Sequence, residues 1–275
     1  DPGAPLVACA RLEVLPFESA EPQLSALPAG TRVTVTCSPR HGIDHTLDFA
    51  ERWAARGLSV VPHLAARQVE DIAHAERIAA RVALLGSSEA FVIGGDQAPP
   101  VGRYGSAVEL LRDLARLLPD VTFGVAGYPE GHPSIDDRRL AAALDAKRDL
   151  AGAVVTQLCF DPDRIRSFIR RIRGAGMTAP VLVGVPGVVD RRRLLELSRR
   201  VGVGASLGFI RKNLRVATQL ATHPYSPHPL VARLDALRTE EPDLGIAGLH
   251  VFTFNQVSAT HAWLEASRNE EQREP

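Results

Sequence analysis

The sequence contains little of what marks several common protein classes. Its three cysteines, Cys9, Cys37 and Cys159, are odd in number and lack a CxxC spacing, so they form no disulfide framework or zinc motif, and we expect a reducing cytoplasm. We expect Cys37 and Cys159 to be ordinary buried thiols and no metal to be bound, with a metal shared by these two residues as the alternative. No stretch approaches the roughly 18 apolar residues of a membrane span. With 32 basic and 32 acidic residues, the chain also has no net charge that would attract nucleic acid or an anionic membrane.

Signature motifs of several enzyme classes are also missing. No Gly-x-Ser-x-Gly elbow supports a hydrolase, and neither a P-loop nor a Gly-x-Gly-x-x-Gly turn follows any apolar run. The pattern therefore excludes the usual mononucleotide and dinucleotide phosphate loops.

A repeated pattern of an apolar run followed by an amphipathic segment is present instead. Parallel strands that are covered on both sides read as nearly continuous apolar runs, and eight of them with intervening helices predict one (β/α)8 TIM barrel. The predicted strands are Arg11–Leu15, Arg32–Thr36, Leu58–His63, Ala90–Gly94, Val121–Ala126, Ala153–Leu158, Val181–Val185 and Leu249–Phe254.

Helical periodicity predicts helices between the strands. A length of 275 residues with 45% hydrophobic residues suits one large core, so we expect a single domain over residues 1–275. Asp161 and Asp190 stand where N-caps belong. We expect residues 203–248 to form a rim insertion with two extra helices, which is also a candidate interface of a homo-oligomer, and residues 268–275 to form a frayed charged tail. The predicted helices are Asp44–Arg56, Val69–Leu85, Tyr104–Leu118, Ile135–Leu150, Asp161–Ala175 and Asp190–Arg200.

Polar residues at the carboxyl ends of the strands are the first candidates for chemistry, because the loops after the strands form the active face of this fold. Glu13 interrupts an apolar strand, and burial would raise the pKa of its carboxyl and suit it to general-acid work. The alternative is a structural role, either as an ion pair with an arginine or as a hydrogen-bonded plug of the barrel. The full set is Glu13, Thr36, His63, Asp96, Tyr128, Gln157 and Asn255.

Three loops add specific chemistry. Asp96 follows two glycines that permit a close approach of a ligand, although a simple turn explains the same residues. The segment Gly127–Pro133 combines an aromatic ring, a carboxylate and an imidazole, which suits a flat heterocycle, with loop stiffness as the alternative. The amide of Gln157 can read the mixed edge of a pterin or nucleobase, with a hydrogen-bonded core glutamine as the alternative. His63 could contact a ligand, but its position alone favours a neutral core histidine.

Seven motifs follow one another along nearly the whole chain: Leu12–Pro16, Val35–Thr36, Val61–Leu64, Gly95–Pro100, Tyr128–Pro133, Thr156–Asp161 and His250–Asn255. In this order they resemble methylenetetrahydrofolate reductases. The resemblance implies a barrel enzyme of one-carbon metabolism and methionine biosynthesis that reduces 5,10-methylenetetrahydrofolate with NADH or NADPH as the ultimate donor, classically through FAD.

The resemblance also implies roles for individual residues. Glu13 resembles the general acid that opens the folate ring to an iminium ion, and Asp96 the carboxylate that contacts the pterin and stabilises that cation. Substrate contacts are implied for Gln157, Asp96, Tyr128 and Phe254. Cofactor contacts are implied for Thr36, His63, Tyr104, Ala126, Tyr128 and His132.

The residues expected around a flavin depart from the family pattern. Gly94-Gly95-Asp96 replaces Arg-Gly-Asp, and Lys147-Arg148-Asp149 replaces a Lys-Arg-Lys cluster, which removes positive charge from a pyrophosphate site. We therefore predict direct hydride transfer without FAD, as in flavin-independent members. The alternatives are a classical FAD enzyme, a methylenetetrahydropterin reductase with another donor, and a non-catalytic folate-binding or support subunit.

Overall fold

The computed structural model describes residues 4–38, 40–189 and 225–271. Eight parallel strands close into one barrel in sequence order, and β8 pairs with β1, as the sequence predicts. The strands are β1 Ala10–Val14, β2 Arg32–Val35, β3 Ser59–Ala65, β4 Glu89–Ile93, β5 Thr122–Gly127, β6 Ala153–Thr156, β7 Val181–Pro186 and β8 Ile246–Phe252.

Helices follow the strands and cover the outside of the barrel. Their apolar faces pack on the outward strand residues and form the main core, for example Val33, Val92 and Leu110. The helices are α1 Glu21–Leu24, α2 Gly42–Ala54, α3 Ile72–Leu84, α4 Ala107–Leu117, α5 Asp137–Asp145, α6 Pro162–Gly174, α7 His228–Glu240 and α8 Val257–Glu271. None of the helices in the described ranges is long and apolar enough to cross a bilayer.

A second, smaller apolar cluster fills the inside of the barrel. It consists of inward-facing residues of four strands: Val61 on β3, Phe91 on β4, Ala153 and Val155 on β6, and Leu182 on β7. Because side chains alternate between the two faces of a strand, these residues define which other positions point inward. The polar positions that share this face are therefore the ones that can meet at the barrel axis.

Two predicted segments differ from the structure. The helix predicted over Ile135–Leu150 is α5 only, followed by a short 3-10 turn at Arg148–Leu150, because Asp136 caps the helix and starts it at Asp137. In the predicted insertion 203–248, α7 packs on α6 as a helix of the barrel ring, and β8 begins at Ile246. The remaining predicted insertion residues, 203–224, and the helix Asp190–Arg200 lie outside the described residues.

The predicted frayed tail is also partly ordered. The last helix, α8, continues to Glu271, and the guanidinium of Arg268 donates to the main-chain oxygen of Val7 from Nε at 3.2 Å and from Nη2 at 3.1 Å. The first part of the predicted tail therefore connects the two ends of the chain. Residues 272–275 are outside the described range.

Candidate active site

Glu13 lies on the inner face of β1, and its side chain is only 15% exposed. Oε2 of this carboxyl lies 2.8 Å from Nε2 of His250 on β8 and 4.0 Å from Nε2 of His63 on β3. The partner is thus a histidine and not an arginine, since the nearby Arg11 pairs with Glu89. Glu13 is therefore held at the barrel axis by a hydrogen bond to the imidazole of His250. The hydrogen bond is compatible both with an acid and with a hydrogen-bonded plug of the barrel.

The sequence motifs contain His250, but the predicted site does not include it. The sequence contains a signal for His250, because this residue lies two positions before Phe252 and therefore on the same face of β8. A polar residue on the inward face of an apolar strand requires a partner. Which strand faces Glu13 depends on closure of the barrel. That closure pairs β8 with β1 across the whole length of the chain.

His63 is almost completely buried beside this pair. Its ring meets Phe91 edge-on with centroids 4.6 Å apart and lies nearly parallel to the ring of His250 at 6.0 Å. Burial, followed by the neighbouring His250, lowers the pKa of His63 well below its ordinary value, so the imidazole is neutral at neutral pH. Its Nε2 is buried and has no hydrogen-bond partner within the described part of the chain.

Glu13, His63 and His250 are close enough to be considered as metal ligands. Their ligand atoms all lie within 4.8 Å of one another. The hydrogen bond between Glu13 and His250 already gives both groups a partner, so this arrangement does not require an ion. Neither Cys37, whose thiol donates to Gln68 Oε1 at 3.2 Å, nor Cys159 belongs to the group.

The loop after β4 carries Asp96 at the mouth of the barrel, where its side chain is exposed. Gly95 before it has φ +83°, and a Cβ at that position would lie 2.9 Å from Cβ of Ala65, so the loop requires glycine there. Arg67 Nε donates to the main-chain oxygen of Gln97 at 2.6 Å and fixes the next residue. The conformation of the loop is therefore fixed, and the loop presents the carboxylate of Asp96 to the mouth of the barrel.

Tyr128 shares the mouth with Asp96. Burial raises the pKa of the Tyr128 hydroxyl above its ordinary value, and the negative charge of Asp96 adds to this effect. The ring of His132 meets Tyr128 edge-on, with centroids 5.4 Å apart. Ala126 on β5 packs against the inner apolar cluster and lies two residues before Tyr128, so three of the predicted contact residues come from the end of β5 and the loop after it.

Gln157 follows β6 next to this group. Its main-chain N–H donates to the oxygen of Gly127 at 2.7 Å, and its side-chain Oε1 accepts from the N–H of Leu158 at 2.8 Å. These bonds fix the plane of the amide at the edge of the mouth. The structure thus brings Glu13, Asp96, Tyr128 and Gln157 to one end of the barrel, as the sequence predicts.

Other predicted contacts are arranged differently. Tyr104 has no exposed surface, and its hydroxyl donates to Oδ2 of Asp113 at 2.8 Å, so the predicted cofactor contact has no accessible ring here. Thr36 donates its hydroxyl to the main-chain oxygen of Val14 at 3.2 Å. Phe254 is buried beside Phe252, with ring centroids 6.3 Å apart.

A cleft between α5 and α6 lies outside the barrel wall. Leu140, Leu144, Phe168 and Ile172 are among the residues that line it. It shares only Ala126 and Tyr128 with the predicted site, and it does not include Glu13. The cleft is therefore separate from the polar group at the barrel axis.

A sequence profile described as methylenetetrahydrofolate reductase matches residues 23–268. This chain belongs to the methylenetetrahydrofolate reductase family. The match covers the strands that carry His63, Asp96, Tyr128, Gln157 and His250, and it begins after Glu13. It confirms the resemblance to the family; it does not distinguish members that use flavin from members that do not.

Named reductases of plants and animals are among the relatives. The chain is similar to methylenetetrahydrofolate reductase (NADH) 1 of Zea mays, with 27% identity over 165 residues, or 55% of this chain and 24% of the maize protein. It is also similar to a Caenorhabditis elegans protein named probable methylenetetrahydrofolate reductase (NADPH), with 37% identity over 84 residues, or 28% of this chain and 12% of that protein. The matches therefore span a quarter or less of these relatives.

A solved structure of similar fold comes from Clostridium thermocellum. This uncharacterised protein is described as binding two copies of 5-methyl-5,6,7,8-tetrahydrofolic acid, and the two folds superpose with a TM-score of 0.61. The superposition covers 95% of both chains at 10% sequence identity. At that identity the likeness supports the barrel fold of this family member.

Proposed function

We propose that this family member reduces 5,10-methylenetetrahydrofolate to 5-methyltetrahydrofolate with a hydride that comes directly from NADH or NADPH. The observation that carries this proposal is the Glu13–His250 pair, a carboxyl group inside an apolar barrel within 2.8 Å of an imidazole nitrogen. Such a pair can keep a proton in a low-dielectric site where acid catalysis needs it. The relatives named for NADH and NADPH support a nicotinamide donor.

In this mechanism, Glu13 donates a proton to a nitrogen of the five-membered folate ring. The bond between that nitrogen and the methylene carbon breaks, which leaves an iminium cation on the other nitrogen. The hydride of the reduced nicotinamide then adds to the methylene carbon and forms the methyl group. One proton and one hydride are consumed for each oxidised nicotinamide, and the carboxylate of Glu13 regains its proton from solvent.

Asp96 supplies charge to the same reaction. Its carboxylate stands at the mouth, and its charge acts on Tyr128 across that space. A fixed negative charge stabilises the iminium cation more than it stabilises the neutral substrate, which lowers the barrier. In this proposal the oriented amide of Gln157 reads the pterin edge, and the ring of Tyr128 contacts its face.

The residues at the expected flavin positions fit FAD poorly, which supports direct transfer. Lys147 is only 7% exposed, so its ammonium is not presented to a pyrophosphate at the surface. Arg148 is ion-paired with Asp145. The ring of Tyr104 is covered, as described above. A pyrophosphate needs accessible cations or free main-chain N–H groups. Lys147 is covered, and the charge of Arg148, whose side chain is 40% exposed, is offset by Asp145.

Two measurements on the purified chain test the proposal. The first is an absorption spectrum from about 300 to 500 nm. The second is NADH or NADPH oxidation with and without 5,10-methylenetetrahydrofolate, and with and without added FAD. We expect a colourless protein that oxidises the nicotinamide only when the folate is present, at a rate that FAD does not change.

The Glu13→Gln variant tests the acid. Glutamine keeps the size of the side chain and its contact with His250, but it has no acidic proton to give, so we expect turnover to fall by roughly 100-fold or more with unchanged folding. The matched control is Glu89→Gln, which alters the carboxylate that pairs with Arg11, and it should retain turnover.

Other outcomes would contradict specific parts of the proposal. Bound flavin, or a rate that depends on added FAD, would make this chain a classical flavoprotein reductase. Near-normal turnover of Glu13→Gln would remove Glu13 from the mechanism. A colourless chain that is inactive under every condition would favour a folate-binding or support subunit, whereas activity only with a deazaflavin and another tetrahydropterin would change the substrate class.

A further inference from the structure

The loop after β8 has an unusual main-chain conformation beside Glu13. Phe254 has φ 51° and Asn255 has φ 61°, so two consecutive residues with a Cβ lie in the left-handed region. Asparagine tolerates this region, because its short polar side chain can hydrogen-bond locally, but for phenylalanine the region is sterically unfavourable. Such a conformation persists only where the surroundings hold it, and held conformations of this kind cluster at functional sites.

The side chain of Asn255 holds the loop to the end of β1. Its Oδ1 accepts a hydrogen bond from the main-chain N–H of Leu15 at 2.8 Å, and its Nδ2 donates to the main-chain oxygen of the same residue at 3.2 Å. The amide therefore pairs with the main chain of Leu15 as a neighbouring strand would. This pairing extends the β1–β8 contact past the last residues of both strands.

Thr253 makes the adjacent connection to Glu13 itself. Its hydroxyl donates to the main-chain oxygen of Glu13 at 2.6 Å and accepts from the N–H of Asn255 at 3.2 Å. Gln23 donates from Nε2 to the main-chain oxygen of Asn255 at 2.7 Å, and so the loop is held from α1 as well. The main chain from Glu13 to Leu15 is thereby fixed against the same loop that follows His250.

We infer that Asn255 is a positioning residue for Glu13: its amide fixes the end of β1 against the loop after β8 and keeps the carboxyl of Glu13 in hydrogen-bond contact with His250. The inference rests on the function proposed above, because it assigns Asn255 to the placement of that general acid. Asn255 need not touch the substrate. A displacement of about 1 Å is enough to slow a positioned group by orders of magnitude.

Replacing Asn255 by glycine distinguishes a positioning role from a turn residue that is present only because it tolerates a positive φ. In Asn255→Gly, the main chain adopts the same φ without strain, but both hydrogen bonds to Leu15 are lost. We expect a folded protein whose melting temperature lies within about 5 °C of the wild type. We also expect kcat to fall by roughly 10- to 100-fold with little change in KM.

A second measurement reports the geometry without turnover. In protein labelled with ¹⁵N-histidine, the imidazole nitrogens of His250, assigned with a His250→Gln variant, report the hydrogen bond to Glu13. We expect these signals to shift in Asn255→Gly. The matched control is Thr31→Val, which removes a hydroxyl that bonds the main-chain oxygen of Pro28 at the opposite end of the barrel; it should change neither kcat nor the His250 signals.

The outcomes are distinguishable. Loss of kcat together with shifted His250 signals supports the positioning role. A wild-type kcat in Asn255→Gly would overturn the positioning role. Unchanged His250 signals would also overturn it, whatever the value of kcat, and would leave Asn255 as a turn residue that tolerates a positive φ. If the wild type does not reduce the folate at all, the proposed function fails, and the histidine signals alone decide whether Asn255 positions Glu13.

Discussion

The carboxylates inside the barrel are paired with titratable or charged side chains. Glu13 pairs with His250, and Arg11 pairs with Glu89, both within the barrel. These pairs explain how an apolar interior accommodates carboxylates, since an unpaired buried charge is costly. At the residue scale, the sequence predicted Glu13 from an interrupted apolar strand, but only the closed barrel identified its partner.

Lys147 is the contrasting case, because burial disfavours its charge. The side chain is 7% exposed, and desolvation lowers the pKa of its ammonium from 10.5 to about 8. Below pH 8 the lysine is charged in both the folded and the unfolded protein, and the folded protein bears the desolvation cost. Between about pH 8 and 10.5 the folded state releases its proton first, so this cost disappears as the pH rises.

We therefore expect Lys147→Met to stabilise the protein at neutral pH. The free energy of unfolding should rise by up to about 3 kcal/mol at pH 7, which corresponds to the shift in pKa. The gain over the wild type should shrink between pH 8 and 10.5. Chemical denaturation of both proteins at several pH values measures this difference. A gain that stays constant with pH would mean that packing and not the charge of Lys147 is responsible.

At the scale of elements, the apolar runs predicted all eight strands, although their ends differ. The run Leu249–Phe254 was predicted as strand, but β8 starts at Ile246 and ends at Phe252, and Phe254 takes a left-handed conformation. An apolar run does not distinguish a strand from a turn whose rings are buried. The hydrogen bonds of Asn255 and Thr253 to β1 decide where the strand ends.

Helix starts were easier to predict where a capping residue is present. Asp161, predicted as an N-cap, accepts from the N–H groups of Asp163 at 3.0 Å and Arg164 at 3.3 Å at the start of α6. The equivalent prediction for Asp190 lies outside the described residues. A local side-chain bond of this kind can be predicted from sequence because both partners lie within one turn.

We expect Asp161→Ala to lower the free energy of unfolding by about 1 kcal/mol, because two N–H groups at the start of α6 lose their acceptor. Asp161→Asn is the matched control: asparagine retains an acceptor oxygen, so its free energy of unfolding should stay within about 0.5 kcal/mol of the wild type. Urea denaturation distinguishes the two variants. Equal destabilisation of both would indicate that the charge beside Arg164 matters more than the cap.

At the scale of the whole molecule, the first and last parts of the chain meet. The main chain of Val7 accepts two hydrogen bonds from Arg268 on α8, and β1 pairs with β8. The segment predicted as a frayed tail thus begins with a residue that connects both chain ends. Charge and polarity alone predicted fraying, because the partner is separated from Arg268 by almost the whole sequence.

We expect Arg268→Ala to lower the free energy of unfolding by about 1 to 2 kcal/mol, since the oxygen of Val7 loses a charged donor. The control is Arg233→Ala, whose guanidinium pairs with Glu240 on the surface of α7 and should contribute less than about 0.5 kcal/mol. Thermal or urea unfolding compares the two. An equally small effect for both would mean that the contact with Val7 does not stabilise the barrel.

The sequence by itself determined the barrel, the order of its strands and most of the residues at its mouth. Strand periodicity and polar residues at strand ends are local patterns, and one right-handed βα topology follows from eight of them. The family followed from motifs in register. These features depend on residues that are close together in the chain.

Only the tertiary structure decided how the candidate acid is held. The contacts of Glu13 with His250 and of Leu15 with Asn255 join residues from opposite ends of the chain. The covered ring of Tyr104 and the buried Lys147 also depend on packing between elements. Closure of the barrel and burial set these partners, because no local sequence pattern records which distant side chain will occupy the remaining space.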